Sequence, residues 1–138
     1  AGALLMSFIA DRYERRLLIF GSTLVWFAGM LLIGAKSNES MLVAGSFLAS
    51  LALGLYLQVA YTYTAELFPT RARASGFALS DGIGHAGGAV GALLLPALVG
   101  TTSFFVGFLG IGCTGLLAGL LALLGPRTSG RRLEEVSH

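Results

Sequence analysis

MLVAGSFLASLALGLYLQVAYTYTAELFPTRARASG, residues 41–76, changes character once along its length. Residues 41–65 contain no Asp, Glu, Lys or Arg. A helix rises ~1.5 Å per residue, so such a run crosses a hydrocarbon core of ~30 Å, where a charged group is costly. Glu66 then closes the run, Pro69 blocks its continuation by removing a backbone donor, and Arg71 and Arg73 follow before Gly76. The glycine permits a close approach where the next apolar run begins. One long apolar helix ending in a short charged turn is the pattern of a membrane-crossing segment that returns.

The same test applied outward finds two more charge-free runs, 17–35 and 102–124. A fourth, 77–99, is equally apolar apart from Asp81 and His85, and its glycines are common in membrane helices although disfavoured in soluble ones. Residues 1–10 are apolar but reach only about half way across a bilayer. They are expected to be half of a helix. A signal peptide is disfavoured, because Asp11-Arg12 stands where small cleavage-site residues belong and no basic stretch precedes the run. The composition agrees, with 55% hydrophobic and 12% charged residues and a mean hydropathy of +0.80. The expected fold class is an all-α membrane protein with four full transmembrane helices plus a partial N-terminal one. The expected spans are 1–10 (partial), 17–35, 41–66, 77–99 and 102–124, with 125–138 as a tail.

Spans placed in this way alternate the loops between the two sides. Arg12, Arg15, Arg16, Arg71, Arg73, Arg127, Arg131 and Arg132 fall on one side and Lys36 alone on the other. The positive-inside rule makes the arginine side, with the C-terminal tail, cytoplasmic. The pI of about 9.0 is then a consequence of topology, and nucleic acid is discarded as a partner because no soluble module carries a basic surface. Asn38-Glu39-Ser40 matches a glycosylation acceptor, but it sits in a tight loop. The preference for Arg over Lys suits a GC-rich bacterial genome, so the sequon is read as incidental and the location as a bacterial inner membrane. Cys113 has no partner cysteine, so no disulfide or metal framework is expected and no cofactor is implied.

The two arginine-side loops carry the sharpest signals. Asp11-Arg12-Tyr13-Glu14-Arg15-Arg16 compresses three cations and two anions between helices, and Glu66 is costly at a membrane boundary unless an arginine of a neighbouring loop pairs with it. At their simplest these charges set topology; together they suggest a network across helix ends. The first loop resembles the Gly-x-x-x-Asp-Arg-x-Gly-Arg-Arg motif of the major facilitator superfamily, with Ser7 and Glu14 in place of its glycines. Glu66, Pro69, Thr70, Arg73 and Gly76 resemble that superfamily's Glu-x-x-Pro-Thr-x-x-Arg-x-x-Gly signature. The tail Arg131-Arg132-Leu133-Glu134-Glu135 is similar to the ending of its sugar porters.

The resemblance is closest to the sugar-porter, organic-ion and metabolite:proton symporter branches. It implies that the chain runs from the end of helix eight to helix twelve of a C-terminal six-helix bundle, the other half of the transporter being a missing partner. It also implies that Asp11, Arg12, Arg15, Arg16, Glu66, Arg71 and Arg73 act as a gating charge network.

Within the spans, Asp81 and His85 are four apart and share a helix face. Ionisable groups at such depth face a cavity or the bundle interior by default. Asp81 can also be a wetted carboxylate at a helix start, favoured by the dipole. His85 can carry a proton, contact an anionic solute or act as a neutral hydrogen-bonding residue. Ser46, Ser50, Gly54, Gln58, Tyr61 and Thr62 trace a small and polar stripe at helical spacing. By the resemblance this helix borders the central cavity, which makes Gln58 and Tyr61 candidates for solute contact. Gly84 and Gly88, Gly87 and Gly91, and Gly115 and Gly119 are spaced for close helix packing.

No nucleophile has a base beside it and no metal-ligand spacing occurs, so an enzyme is not expected and no catalytic residue is assigned. The leading reading is transport of a small organic solute (a sugar, organic acid or metabolite), proton- or gradient-coupled, by alternating access in the bilayer. The alternative is a truncated, non-transporting membrane fragment or a helix-packing modulator.

Overall fold

The computed structural model describes residues 13–35, 38–101 and 103–126. Asp11, Arg12, the half helix at 1–10 and the tail from 127 onward lie outside the described residues. Among the described residues there are four helices: α1 (Arg15–Ala35), α2 (Glu39–Leu67), α3 (Arg73–Thr101) and α4 (Phe104–Leu124). All four are long and apolar enough to cross a membrane. The expected all-α fold class therefore holds. At ~1.5 Å per residue, the 21-residue helices α1 and α4 match the hydrocarbon thickness. The 29-residue helices α2 and α3 must tilt or protrude.

Local chemistry sets the helix ends. The Asn38 side-chain oxygen accepts from the Met41 backbone N–H at 2.8 Å, and the Ser103 hydroxyl accepts from the Val106 N–H at 3.3 Å. Each satisfies one donor that a helix start leaves open. The sequon asparagine is thus a helix cap. Phe68 leaves the helical conformation at φ −100° and ψ 136°, ahead of Pro69. Helix α3 starts at Arg73, so Gly76 lies inside its first turn. A Cβ at Gly76 would overlap the Phe68 ring, so the glycine is the seat on which that ring folds back.

Helix α1 is the centre of the bundle, packed along its length by α2 on one side and α4 on the other, whereas α3 touches α2 and α4 only thinly. Glycines make the close contacts. A Cβ at Gly29 would stand 2.9 Å from both Ala49 N and Gly45 O of α2. On the other side of α1, a Cβ at Gly112 would come within 2.8 Å of the Phe27 ring, and one at Gly115 within 2.6 Å of Trp26. Gly119 meets Thr23. Small residues here bring backbones together, the source of helix association in lipid.

Near the ends that carry Arg15 and Leu67, Ile19, Val59 and Tyr63 form a core that Leu18, Leu55 and Ala122 surround. The hydroxyls of Ser22, Thr23 and Thr114 donate to carbonyls of their own helices, at 2.7, 2.8 and 2.7 Å. This satisfies them without water.

Candidate functional site: a charge cluster and a polar groove

The chain reverses between α2 and α3, which brings the start of α1, the end of α2, the start of α3 and the end of α4 to one end of the bundle. Arg15 reaches Glu66 there. Its Nε donates to Oε1 at 3.1 Å and to Oε2 at 3.3 Å, and its Nη2 to Oε1 at 3.0 Å. The two side chains are 14% and 16% exposed, so the pair is largely shielded and charge-assisted. It ties α1 to α2.

Arg16 and Arg73 at this end also take backbone carbonyls as partners. Arg16 Nη1 donates to Leu123 O at 2.9 Å and to Gly125 O at 3.0 Å, holding the carbonyls that α4 leaves unpaired at its end. Arg73 Nε donates to Ala65 O at 2.9 Å and does the same for α2. Both place a cation at a helix C-terminus, where the macrodipole favours it. Glu14 stands 3.8 Å from Arg16 Nε, and Arg71 is exposed. Arg73 Nη2 is buried and has no hydrogen-bond partner among the described residues. Of the gating candidates among the described residues, Arg15, Arg16, Glu66 and Arg73 come together at this end, through the Arg15–Glu66 ion pair and two carbonyl clamps. Sequence reasoning missed Tyr63, whose hydroxyl donates to Pro126 O at 3.0 Å and ties the end of α2 to the exit of α4. No spacing rule points to a backbone carbonyl as a partner.

The second cluster lies in the groove between α2 and α3. Tyr61 OH donates to Asp81 Oδ1 at 3.2 Å. The other carboxylate oxygen, Oδ2, lies 3.4 Å from His85 Nδ1. That nitrogen is also 2.9 Å from the Asp81 backbone oxygen. A carbonyl oxygen only accepts, so a hydrogen bond here requires the proton on Nδ1. Phe77 meets Tyr61 edge-to-face with ring centroids 5.2 Å apart. The groove has a volume of about 710 Å³, and Tyr61, Thr64, Ser80, Asp81 and His85 are among its lining residues. Gln58 is exposed and is not one of them.

The groove exists because the facing surface of α3 is small. Among the described residues nothing lies within 4 Å of a Cβ built on Gly84, Gly87, Gly88 or Gly91. The close packing expected of the glycine pairs is met by Gly115 and Gly119 against α1. Those of α3 border open space instead.

The sequence model described as Major Facilitator Superfamily matches residues 1–137. The chain belongs to the major facilitator superfamily. Its curated relatives include the putative metabolite transport protein YyaJ of Bacillus subtilis, 29% identical over 96% of this chain and 30% of that protein. The synaptic vesicle 2-related protein of Xenopus laevis is 26% identical over 99% of the chain and 25% of its own length. The minor myo-inositol transporter IolF of Bacillus subtilis is 34% identical over 72% of the chain and 22% of its own length. The chain therefore spans between a fifth and a third of these major facilitator relatives. No solved structure matches it. As a major facilitator protein with four spanning helices, it is a multi-pass membrane protein.

Proposed function

We propose that this chain is part of a carrier that moves a small organic solute across the cell membrane by alternating access, coupled to protons, with its arginine-bearing end in the cytoplasm. In this reading it forms the end of helix eight and helices nine to twelve of the C-terminal bundle and works with the helices that complete its longer relatives. Asp81 and His85 hold the proton or the polar part of the solute in the α2/α3 groove, and Tyr61 positions Asp81. The shielded Arg15–Glu66 pair, with Arg16 and Arg73, closes the cytoplasmic end and opens during the cycle. The observation that carries the reading is the chain Tyr61–Asp81–His85, which puts two titratable groups and a phenol on the wall of one groove. Membrane solute transport is supported by the names of YyaJ and IolF, which refer to metabolite and myo-inositol transport.

The test is solute uptake by a complete transporter carrying this segment, measured against external pH. Asp81→Asn and His85→Gln should each flatten the pH profile and lower concentrative uptake at least tenfold while leaving downhill exchange in place. Profiles that keep the parental shape in both variants would exclude coupling through this pair.

A further inference from the structure

Behind the polar groove lies a second cavity of about 450 Å³, walled by α1, α2 and α4, with Gly84 as the residue of α3 on its lining. Its lining is more apolar than that of the groove, which holds Asp81 and His85. Trp26, Leu53, Ile111 and Ala118 supply apolar wall. The hydroxyls of Ser22, Thr23 and Thr114, which also line it, spend their protons on carbonyls of their own helices. Among the described residues, no carboxylate, imidazole or cationic side chain lines it. Tyr56 and Gly84 line both cavities, so the two adjoin there. Among the described residues a Cβ at Gly84 would meet nothing within 4 Å, so Gly84 raises no side-chain wall at the edge the two share. It is half open, since Leu53, Thr114 and Ala118 on its lining are exposed, and at about 450 Å³ it has room for an aryl ring.

We infer that the solute is amphipathic, its polar part held at Asp81 and His85 and an aryl or short alkyl part passing between Tyr56 and Gly84 into the chamber beside Trp26. The inference rests on the groove being the solute site, as proposed above. It also narrows that proposal, because a small polyol without an apolar end leaves the chamber unfilled. The adjoining walls of the two cavities select the occupant. An apolar chamber that opens beside a polar site suits the two ends of one molecule.

Trp26 is the chain's single tryptophan, so its fluorescence reports the chamber directly. The full chain in lipid nanodiscs is titrated with 4-nitrobenzylamine, 4-nitrophenyl β-glucoside and 4-nitrophenylacetate, which share a quenching aryl end and differ in the charge of the head. At least one should quench Trp26 saturably, and its phenyl analogue without the nitro group should compete. Ala118→Phe, which fills the chamber from α4 away from the groove, should weaken that binding at least fivefold. Ala118→Ser serves as the conservative control and should bind as the parent does.

Linear, non-competed quenching by all three probes would overturn the inference, and so would saturable quenching that Ala118→Phe leaves unchanged. A parallel titration uses phosphatidylcholine brominated on its acyl chains. Quenching by that lipid which Ala118→Phe abolishes, with a flat response to the soluble probes, would assign the chamber to a lipid chain and overturn the solute assignment. Asp81→Asn separates the two levels of the argument. If quenching stays saturable but head preference and affinity are unchanged, the chamber stands and the reading of the polar groove falls.

Discussion

Replacing Glu66 with Gln removes the anion from the Arg15–Glu66 pair while keeping the shape of the side chain. Exposed ion pairs are worth at most about 1 kcal/mol, and removing one partner of a fully buried pair costs about 3–5 kcal/mol. This pair lies between those limits. Its side chains are 14% and 16% exposed, and three donor–acceptor contacts run from 3.0 to 3.3 Å. We therefore expect Glu66→Gln and Arg15→Gln each to cost about 2–3 kcal/mol, and the double variant little more than either alone. The coupling energy is then about 2 kcal/mol, roughly a 30-fold change in the folding equilibrium. The assay is reversible unfolding in mixed micelles followed by the fluorescence of Trp26, with all four corners of the cycle measured under one condition. Charge exchange, Arg15→Glu with Glu66→Arg, should recover more than half of the loss. A coupling energy below about 0.5 kcal/mol would show that the two side chains are neighbours without being partners, and the gate built on them would go with it.

Gly29→Val should cost about 1–3 kcal/mol in the same assay, because its Cβ meets backbone atoms of Gly45 and Ala49 that no rotamer change can move. Gly82→Ala, built in open space on α3, should be neutral or slightly stabilising. Asn38→Ala should cost about 1 kcal/mol through loss of the cap on α2, and Asn38→Ser should restore most of it. Tyr63→Phe should cost about 1 kcal/mol and speed amide exchange at Gly125, measured by mass spectrometry, since the bond to Pro126 O is lost.

The helices were legible because a bilayer imposes one simple rule on sequence, long runs free of charge, and 41–65 obeys it plainly. The turn after Glu66 was legible for a local reason, the missing donor of Pro69. The start of α3 was less so. Arg73, Ala74 and Ser75 read as loop by polarity, yet they are helical because Arg73 has a carbonyl of α2 to hold and Phe68 needs Gly76 beneath it. For the candidate site, the spacing of Asp81 and His85 put them on one face, and the structure adds that Tyr61 is the residue of the polar stripe that reaches them. Gln58 shares the stripe's periodicity but is not on the groove wall, since a helical stripe is wider than one contact line. Nothing in the sequence announced the apolar chamber, whose walls come from three helices with no shared motif.

The clamp from Arg16 onto Leu123 O joins residues 107 positions apart. A ribosome adding about 5–20 residues per second needs roughly 5–20 s to travel that distance. Helix α1 therefore enters the bilayer and meets α2 well before its second neighbour exists. During that interval the guanidinium of Arg16 lacks the α4 carbonyls, and the face of α1 that Gly112, Gly115 and Gly119 later cover is without that neighbour. Synthesis order thus has the α1–α4 seam close after the α1–α2 seam, so the two faces of α1 are covered at different times.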